Sequence, residues 1–433
     1  MLIVEIIQQN GGVLVAIFRE WVDYLHGYSR NVKLFFWFNI LWNTGLGMFG
    51  VIYNLYIKSL GYGQEAVGNV VAMTALGSAI SLIPVGILSD RYGPKRVAQI
   101  GLLFAIAALG LRACVSNIHN LGTTAFISGL FLAMVQVTGI PFLAANSRMD
   151  QRVHLFSFNM ALMMIANFVG NIGGGILTDF LNGSIGFSEV ASLRITLLIG
   201  VGCAAIGLIP VTMFQPSVGD GIEKQTKQPL RVLLNHHRKS LAVIGWFTLL
   251  SLLTSSAGGL IVPYLNVYFA DRFHSSKTSI GIIVSLGQAA TAIAYLIGPA
   301  IARKLGEVRA VIVLQLSSIP FLLLTAFTMN FPLACGGYLF RQALMNAANP
   351  FQTSIKMARV DHSLRGLANS MGDAAFNLGW FLVAPVNTFL VHTYGAYWGY
   401  AYAFSLTAIM YCMVSVLFYI LFRKGASSPQ EQS

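Results

Sequence analysis

Residues 86–96 read Gly86-Ile-Leu-Ser-Asp90-Arg91-Tyr-Gly93-Pro-Lys95-Arg96. They end one long apolar run, at about 66–88, and precede another at about 97–116. A glycine, an acid and then a glycine turn flanked by cations is an uncommon way to leave an apolar segment. Of the 433 residues, 56% are hydrophobic and 10% charged, and the mean hydropathy is +0.69. A water-soluble chain of this length needs more charge to cover its surface, so lipid is the solvent for much of it. A formal net charge of +12 would suggest nucleic acid only if the cations clustered on a soluble face. Here they sit in short gaps between apolar runs, which argues against a nucleic-acid partner and makes the charge topological.

Twelve apolar runs are long enough to cross ~30 Å of hydrocarbon as helices. Six fall in residues 34–214 and six in 240–422. Between them, 215–239 is polar, with Pro, Gly, Asp, Lys and His, and reads as a cytoplasmic linker. Residues 1–33 form a cytoplasmic N-terminal segment. Its stretch 13–25 places Leu14, Ile17, Phe18, Trp21, Val22 and Leu25 on one face, as an amphipathic helix at the membrane surface would. Residues 423–433 are a short cytoplasmic tail. With both termini inside, 21 of the 27 Lys and Arg fall on the inner side. The outer gaps hold only Lys58, Arg194, Arg272 and Lys277, and the remaining two cations, Arg112 and Arg341, lie within apolar runs. That bias orients the chain. The four cysteines show no metal-ligand spacing and read as small, reduced, buried side chains.

The two sets of runs repeat one another. Asn54-Leu-Tyr56 recurs as Asn266-Val-Tyr268, a shift of 212. Asn159 and Asn167 recur as Asn369 and Asn377, a shift of 210, and Gly93 recurs as Gly306, a shift of 213. The constant order and near-constant shift argue for a duplicated six-helix unit.

With that setting, residues 86–96 closely resemble the signature loop between the second and third helices of the major facilitator superfamily, G-x-L-x-D-R-x-G-x-K/R-K/R. The resemblance covers about residues 34–422. It implies an all-α membrane protein of twelve transmembrane helices in two pseudo-symmetric six-helix bundles. It also implies alternating access, no cofactor or metal, and a monomer in the cell membrane. In the family the acid of the loop faces the start of the eleventh helix, which makes Gly86, Asp90, Arg91, Gly93, Lys95 and Arg96 a cytoplasmic gate. Gly86 would let another helix approach closely, and the cations would pair with loop acids such as Asp150.

Two charges fall deep within runs, Arg341 in the tenth and Asp373 in the eleventh, at similar height. An ion in the bilayer is costly unless paired or wetted, so both are candidates for a substrate or proton site. Asn369, Asp373 and Asn377 share one helix stripe near Trp380, and Asn346 lies near Arg341. Asn43, Gln136 and Asn167 are the polar positions of the first half. These would line a central cavity walled by helices one, four, five, seven, ten and eleven, as in the family. Asp373 would carry protons, or Arg341 would hold an anionic group with Asp373 as its resting partner; a permanent ion pair and plain amide hydrogen bonding between helices are the structural alternatives. Arg112 reads as snorkelling to the interface. Gly170-Asn-Ile-Gly173-Gly174-Gly175 resembles an antiporter motif, but equally a close-packing surface.

The expected function is a secondary transporter of a small organic solute, exporting it in exchange for protons. The alternatives are an uptake symporter or facilitator for a polar or anionic metabolite, and a lipid or glycolipid flippase. A sensor that kept the fold without transport would be expected to lack the loop motif. No Ser/His pair, paired carboxylates or His cluster at membrane depth supports an enzyme, and no phosphate-binding loop supports ATP as the driver.

Overall fold

The computed structural model describes residues 27–147, 152–215, 238–360 and 364–422. The amphipathic stretch 13–25, most of the linker, the tail and Asp150 lie outside the described residues, as do the side chains of Asp90 and Arg91. Everything described is helix or short connection. The helices are α1 (Arg30–Ser59), α2 (Gln64–Tyr92), α3 (Pro94–Cys114), α4 (Ile118–Ala145), α5 (Arg152–Gly183), α6 (Glu189–Ile206) and α7 (Leu208–Thr212). After the linker come α8 (Arg238–Gly259), a 3₁₀ turn (Val262–Tyr264), α9 (Leu265–Phe273), α10 (Lys277–Leu305) and α11 (Glu307–Phe327). The last three are α12 (Phe331–Ala347), α13 (Asn349–Arg359) and α14 (Arg365–Phe422).

Local chemistry sets the helix ends. Ser29, Asn117, Ser188 and Asn330 each accept a backbone N–H of the first turn with their side-chain oxygen. Pro94, Pro332 and Pro350 sit in first turns, where a missing N–H costs nothing. The turn at Gly93, between α2 and α3, has φ 85° and ψ 147°, and its repeat partner Gly306 has φ 78° and ψ 149°. Both need the positive φ that glycine adopts at least cost. Duplication is therefore visible in the backbone as well as the sequence.

Among the described residues, ten helical segments are long and apolar enough to cross a membrane. One of them covers two expected runs. At 1.5 Å per residue a straight α14 would reach roughly 87 Å, nearly three hydrocarbon thicknesses. Gly395, with φ 74° and ψ 178°, breaks it instead, and Gly399 then lies against the backbone of Leu390 and Val391, so the chain doubles back. The tenth expected run is split at Ala348 into α12 and α13, and the seventh is broken around Val262–Tyr264.

Packing follows the duplication. In the first set α1 packs on α5 and α6, α2 on α4, and α3 on α4; in the second, α8 packs on α14, α10 on α12, and α11 on α12. The sets meet along two seams, α2 with α14 and α5 with α10. Outward faces carry large apolar side chains such as Leu103, Ile165, Ile409 and Val416. Small and polar residues turn inward, the arrangement a lipid-solvated bundle requires. The cysteines depart from expectation: Cys114 and Cys412 are exposed, and Cys203 and Cys335 half-buried, because they lie on helix faces that no neighbouring helix fully covers.

Candidate functional site

One end of the molecule is closed. Asn54, near the C-terminal end of α1, donates to the Pro263 carbonyl at 2.7 Å and to Asn266 Oδ1 at 3.3 Å. Asn266 on α9 donates in turn to the Val51 carbonyl at 3.0 Å. The two asparagines that repeat each other in sequence thus clasp each other's helix, each bonding the carbonyl three residues before its partner. Lys58 meets Asp271 at 2.8 Å, Lys277 meets Glu189 at 2.6 Å, and Gln64 donates to Asn387 at 3.0 Å. The Thr278 N–H at the start of α10 donates to Asp179 at 2.8 Å. Deeper along the same seam, Ser285 donates to the Phe168 carbonyl at 3.0 Å.

Beneath this closure lies a cavity of about 270 Å³. Its walls include Phe49, Tyr53 and Asn54 of α1, Arg112 of α3, and Asn377 and Trp380 of α14. Arg112 does not snorkel. It is 5% exposed, with its guanidinium 4.2 Å from the centre of the Tyr53 ring and 5.3 Å from that of Phe49. Those rings draw it inward more cheaply than the interface would. Its Nη1 donates to Ser128 Oγ at 2.9 Å, while its buried Nε has no partner. Trp380 Nε1 is likewise buried and without a partner. Sequence reading missed Arg112 as a cavity residue.

The expected site residues divide. Arg341 is 4% exposed and donates to Gln342 Oε1 at 2.8 Å and Tyr411 Oη at 2.7 Å, inside the second set. Asp373 is exposed, and the cation whose field acts on it is Lys356, not Arg341. Equal height did not bring the two together, because Arg341 is rotated toward Tyr411 on the second limb of α14. Asn377 lines the cavity and donates to the Asp373 carbonyl one turn away at 2.9 Å. Asn369 is exposed on the same stripe and Gln136 is exposed on α4.

The remaining amides hold helices together. Asn167 donates to Asn43 at 3.2 Å, Asn43 to Asn39, and Asn39 to Asn159 at 2.7 Å, a chain of amides stitching α1 to α5. Asn346 donates to Thr291 at 3.2 Å, joining α12 to α10. In a bilayer each such bond contributes roughly 0.6–2 kcal/mol.

The 86–96 loop lies at the opposite end from the closure. Lys95 donates to the Phe214 carbonyl at 2.6 Å within its own set, and Arg96 is exposed. A Cβ on Gly86 would meet nothing within 4 Å. Among the described residues no group of three His, Cys, Asp or Glu could hold a metal.

Comparison with known proteins agrees with this architecture. The family model of the Major Facilitator Superfamily matches residues 36–314 and 247–433. An MFS-type transporter of Methanocaldococcus jannaschii is 21% identical over 88% of this chain and 97% of its own. The multi-drug resistance efflux pump PmrA of Streptococcus pneumoniae is 24% identical over 72% of this chain and 77% of its own. The crystal structure of the nucleoside transporter NupG aligns with TM-score 0.70 at 16% identity, covering 91% of this chain and 98% of its own. The loop motif, the duplicated helix packing and the match along the chain place this protein in the Major Facilitator Superfamily, a family of membrane transporters.

Proposed function

We propose that this protein is a secondary active transporter that moves a small organic solute by alternating access, exporting it in exchange for protons. In this reading the chain crosses the membrane twelve times, as bundles 34–214 and 240–422, with both ends in the cytoplasm. The break at Gly395 and the pairing of α12 with α13 supply the two crossings beyond the ten long segments. The lysine and arginine bias supports the orientation.

The observation that carries the reading is one-ended closure over a cavity. The reciprocal Asn54–Asn266 clasp and the Lys58–Asp271 and Lys277–Glu189 pairs seal the outer end. A transporter must break such contacts and make others at the 86–96 end to turn over. Proton coupling is assigned to Asp373, the exposed carboxylate one turn from cavity-lining Asn377. Export is the direction that a relative named as an efflux pump favours.

The test is proton movement in energised inside-out vesicles on addition of organic anions, cations and neutral solutes. Wild type should release lumenal protons on adding its solute. Asp373→Asn should show none while keeping solute-for-solute exchange. Undiminished proton release by Asp373→Asn would remove that residue from the coupling. Proton movement only when solute is preloaded into the lumen would make the protein a symporter.

A further inference from the structure

We propose that Arg112 and Trp380 form the recognition site for an anionic, ring-bearing solute, the acid group on Arg112 and the ring against Trp380 and Tyr53. This rests on the transporter reading above and names its substrate class.

Arg112, in the last turn of α3, carries a buried charge, and such a cation is held by a counter-ion, by water or by a ligand. Among the described residues no carboxylate lies within 4 Å of it. Of its five N–H groups, only one on Nη1 meets a side-chain acceptor, Ser128 Oγ, and buried Nε meets none. The Tyr53 and Phe49 rings offer cation–π attraction but accept no strong hydrogen bond. Across the same cavity Trp380 presents a second buried donor without an acceptor.

Both orphan groups are donors, so the complement is an acceptor with negative charge. A carboxylate fits best, because a guanidinium binds it through two parallel N–H···O bonds. Phe49, Tyr53 and Trp380 add aromatic walls to a cavity otherwise lined by aliphatic and small side chains such as Leu46, Val70 and Leu109, which suits an apolar ring. Asn377 spends one of its two amide N–H groups on the Asp373 carbonyl, leaving the other to donate to the solute and its Oδ1 to accept from a hydroxyl or amine. Arg341 also has a buried Nε without a partner, but both of its Nη atoms are engaged, by Gln342 and Tyr411, and it does not line this cavity. The direction of transport is compatible: an anion leaving the cell and a proton entering it both run with an inside-negative potential.

The test uses the full chain in lipid nanodiscs and three matched probes: 1-naphthoate, 1-naphthamide and 1-naphthylmethylamine. Binding is read by tryptophan quenching and by thermal shift. Wild type should bind the acid best and shift only with it. Arg112→Gln should weaken acid binding by roughly 30-fold or more, and Arg112→Lys by less, since charge without a planar fork remains. Trp380→Phe should lose most of the quenching while keeping the preference for acid over amide. Should Arg112→Gln fail to fold, the acid-to-amide ratio of wild type and the Trp380→Phe quenching decide the matter. Equal affinity for acid and amide, or a preference for the amine, would overturn the proposal. Acid binding without any proton flux in vesicles would leave this site standing and remove the coupled-transport reading. Flux driven by cations alone would do the reverse.

Discussion

Replacing Asn54 and Asn266 together by alanine should open the closed end. Three bonds between the helix sets disappear: Asn54 to the Pro263 carbonyl, Asn54 to Asn266, and Asn266 to the Val51 carbonyl. At roughly 0.6–1.7 kcal/mol for each hydrogen bond inside a membrane protein, the loss is about 2–5 kcal/mol. That shifts the balance of closed and opened forms by roughly 30-fold to several thousand-fold. The Lys58–Asp271 pair remains, but both side chains are partly exposed and such pairs contribute only ~0–1 kcal/mol. Electron–electron distance measurement between spin labels at 63 and 275, with the four native cysteines replaced, reads the opening directly. An unchanged distance distribution in the double variant would show that the seams, not the asparagine clasp, hold this end shut.

Gly281→Leu should cut transport by about two orders of magnitude while leaving a folded protein. On the α5–α10 seam the helices touch through backbone. A Cβ on Gly281 would strike the carbonyl of Asn171, and one on Gly175 would strike that of Lys277. A leucine there must push the two sets apart at the end that has to close, while each set keeps its own internal packing. The neighbouring Gly173 offers a contrast within the same glycine-rich motif, since a Cβ there meets nothing within 4 Å. Gly173→Leu should transport within a few-fold of wild type. Solute uptake into vesicles, with size-exclusion profiles as the measure of folding, separates the two. Equal transport by both variants would show that close backbone approach at this seam is not required.

The glycine-rich stretch illustrates how far a sequence reading reaches. It read equally well as a transport motif and as a packing surface. In the structure Gly170 and Gly174 admit α1, Gly175 admits α10, and Gly173 faces open space. Four glycines in six residues have different neighbours, and spacing alone could not separate them. The asparagines behave alike. A polar stripe at helical spacing is needed both to wet a cavity and to bond a neighbouring helix. Asn43 and Asn167 bond one another, whereas Asn377 lines the cavity.

Depth along a helix is legible from residue count, but rotation about the axis is not. Residue count puts Arg341 and Asp373 at similar height and leaves open whether they pair. Rotation settles it: Arg341 bonds Tyr411, while Asp373 is exposed on the other limb of α14. Arg112, near the end of its run, looked free to reach the interface, yet the aromatic rings of α1 hold it inside.

Composition, the positions of the apolar runs and the 86–96 loop were enough to determine a lipid-solvated helical bundle of this family, because burial in lipid imposes long helices and few charges. The repeat at a shift near 210 was equally legible, since Gly93 and Gly306 need the same positive φ. Only tertiary structure decided that the repeated Asn54 and Asn266 bond to each other, that one end is shut, and that Arg112 faces the cavity. Those facts depend on helix rotation and on which faces meet. They are set by packing between segments far apart in the chain, which local sequence does not encode.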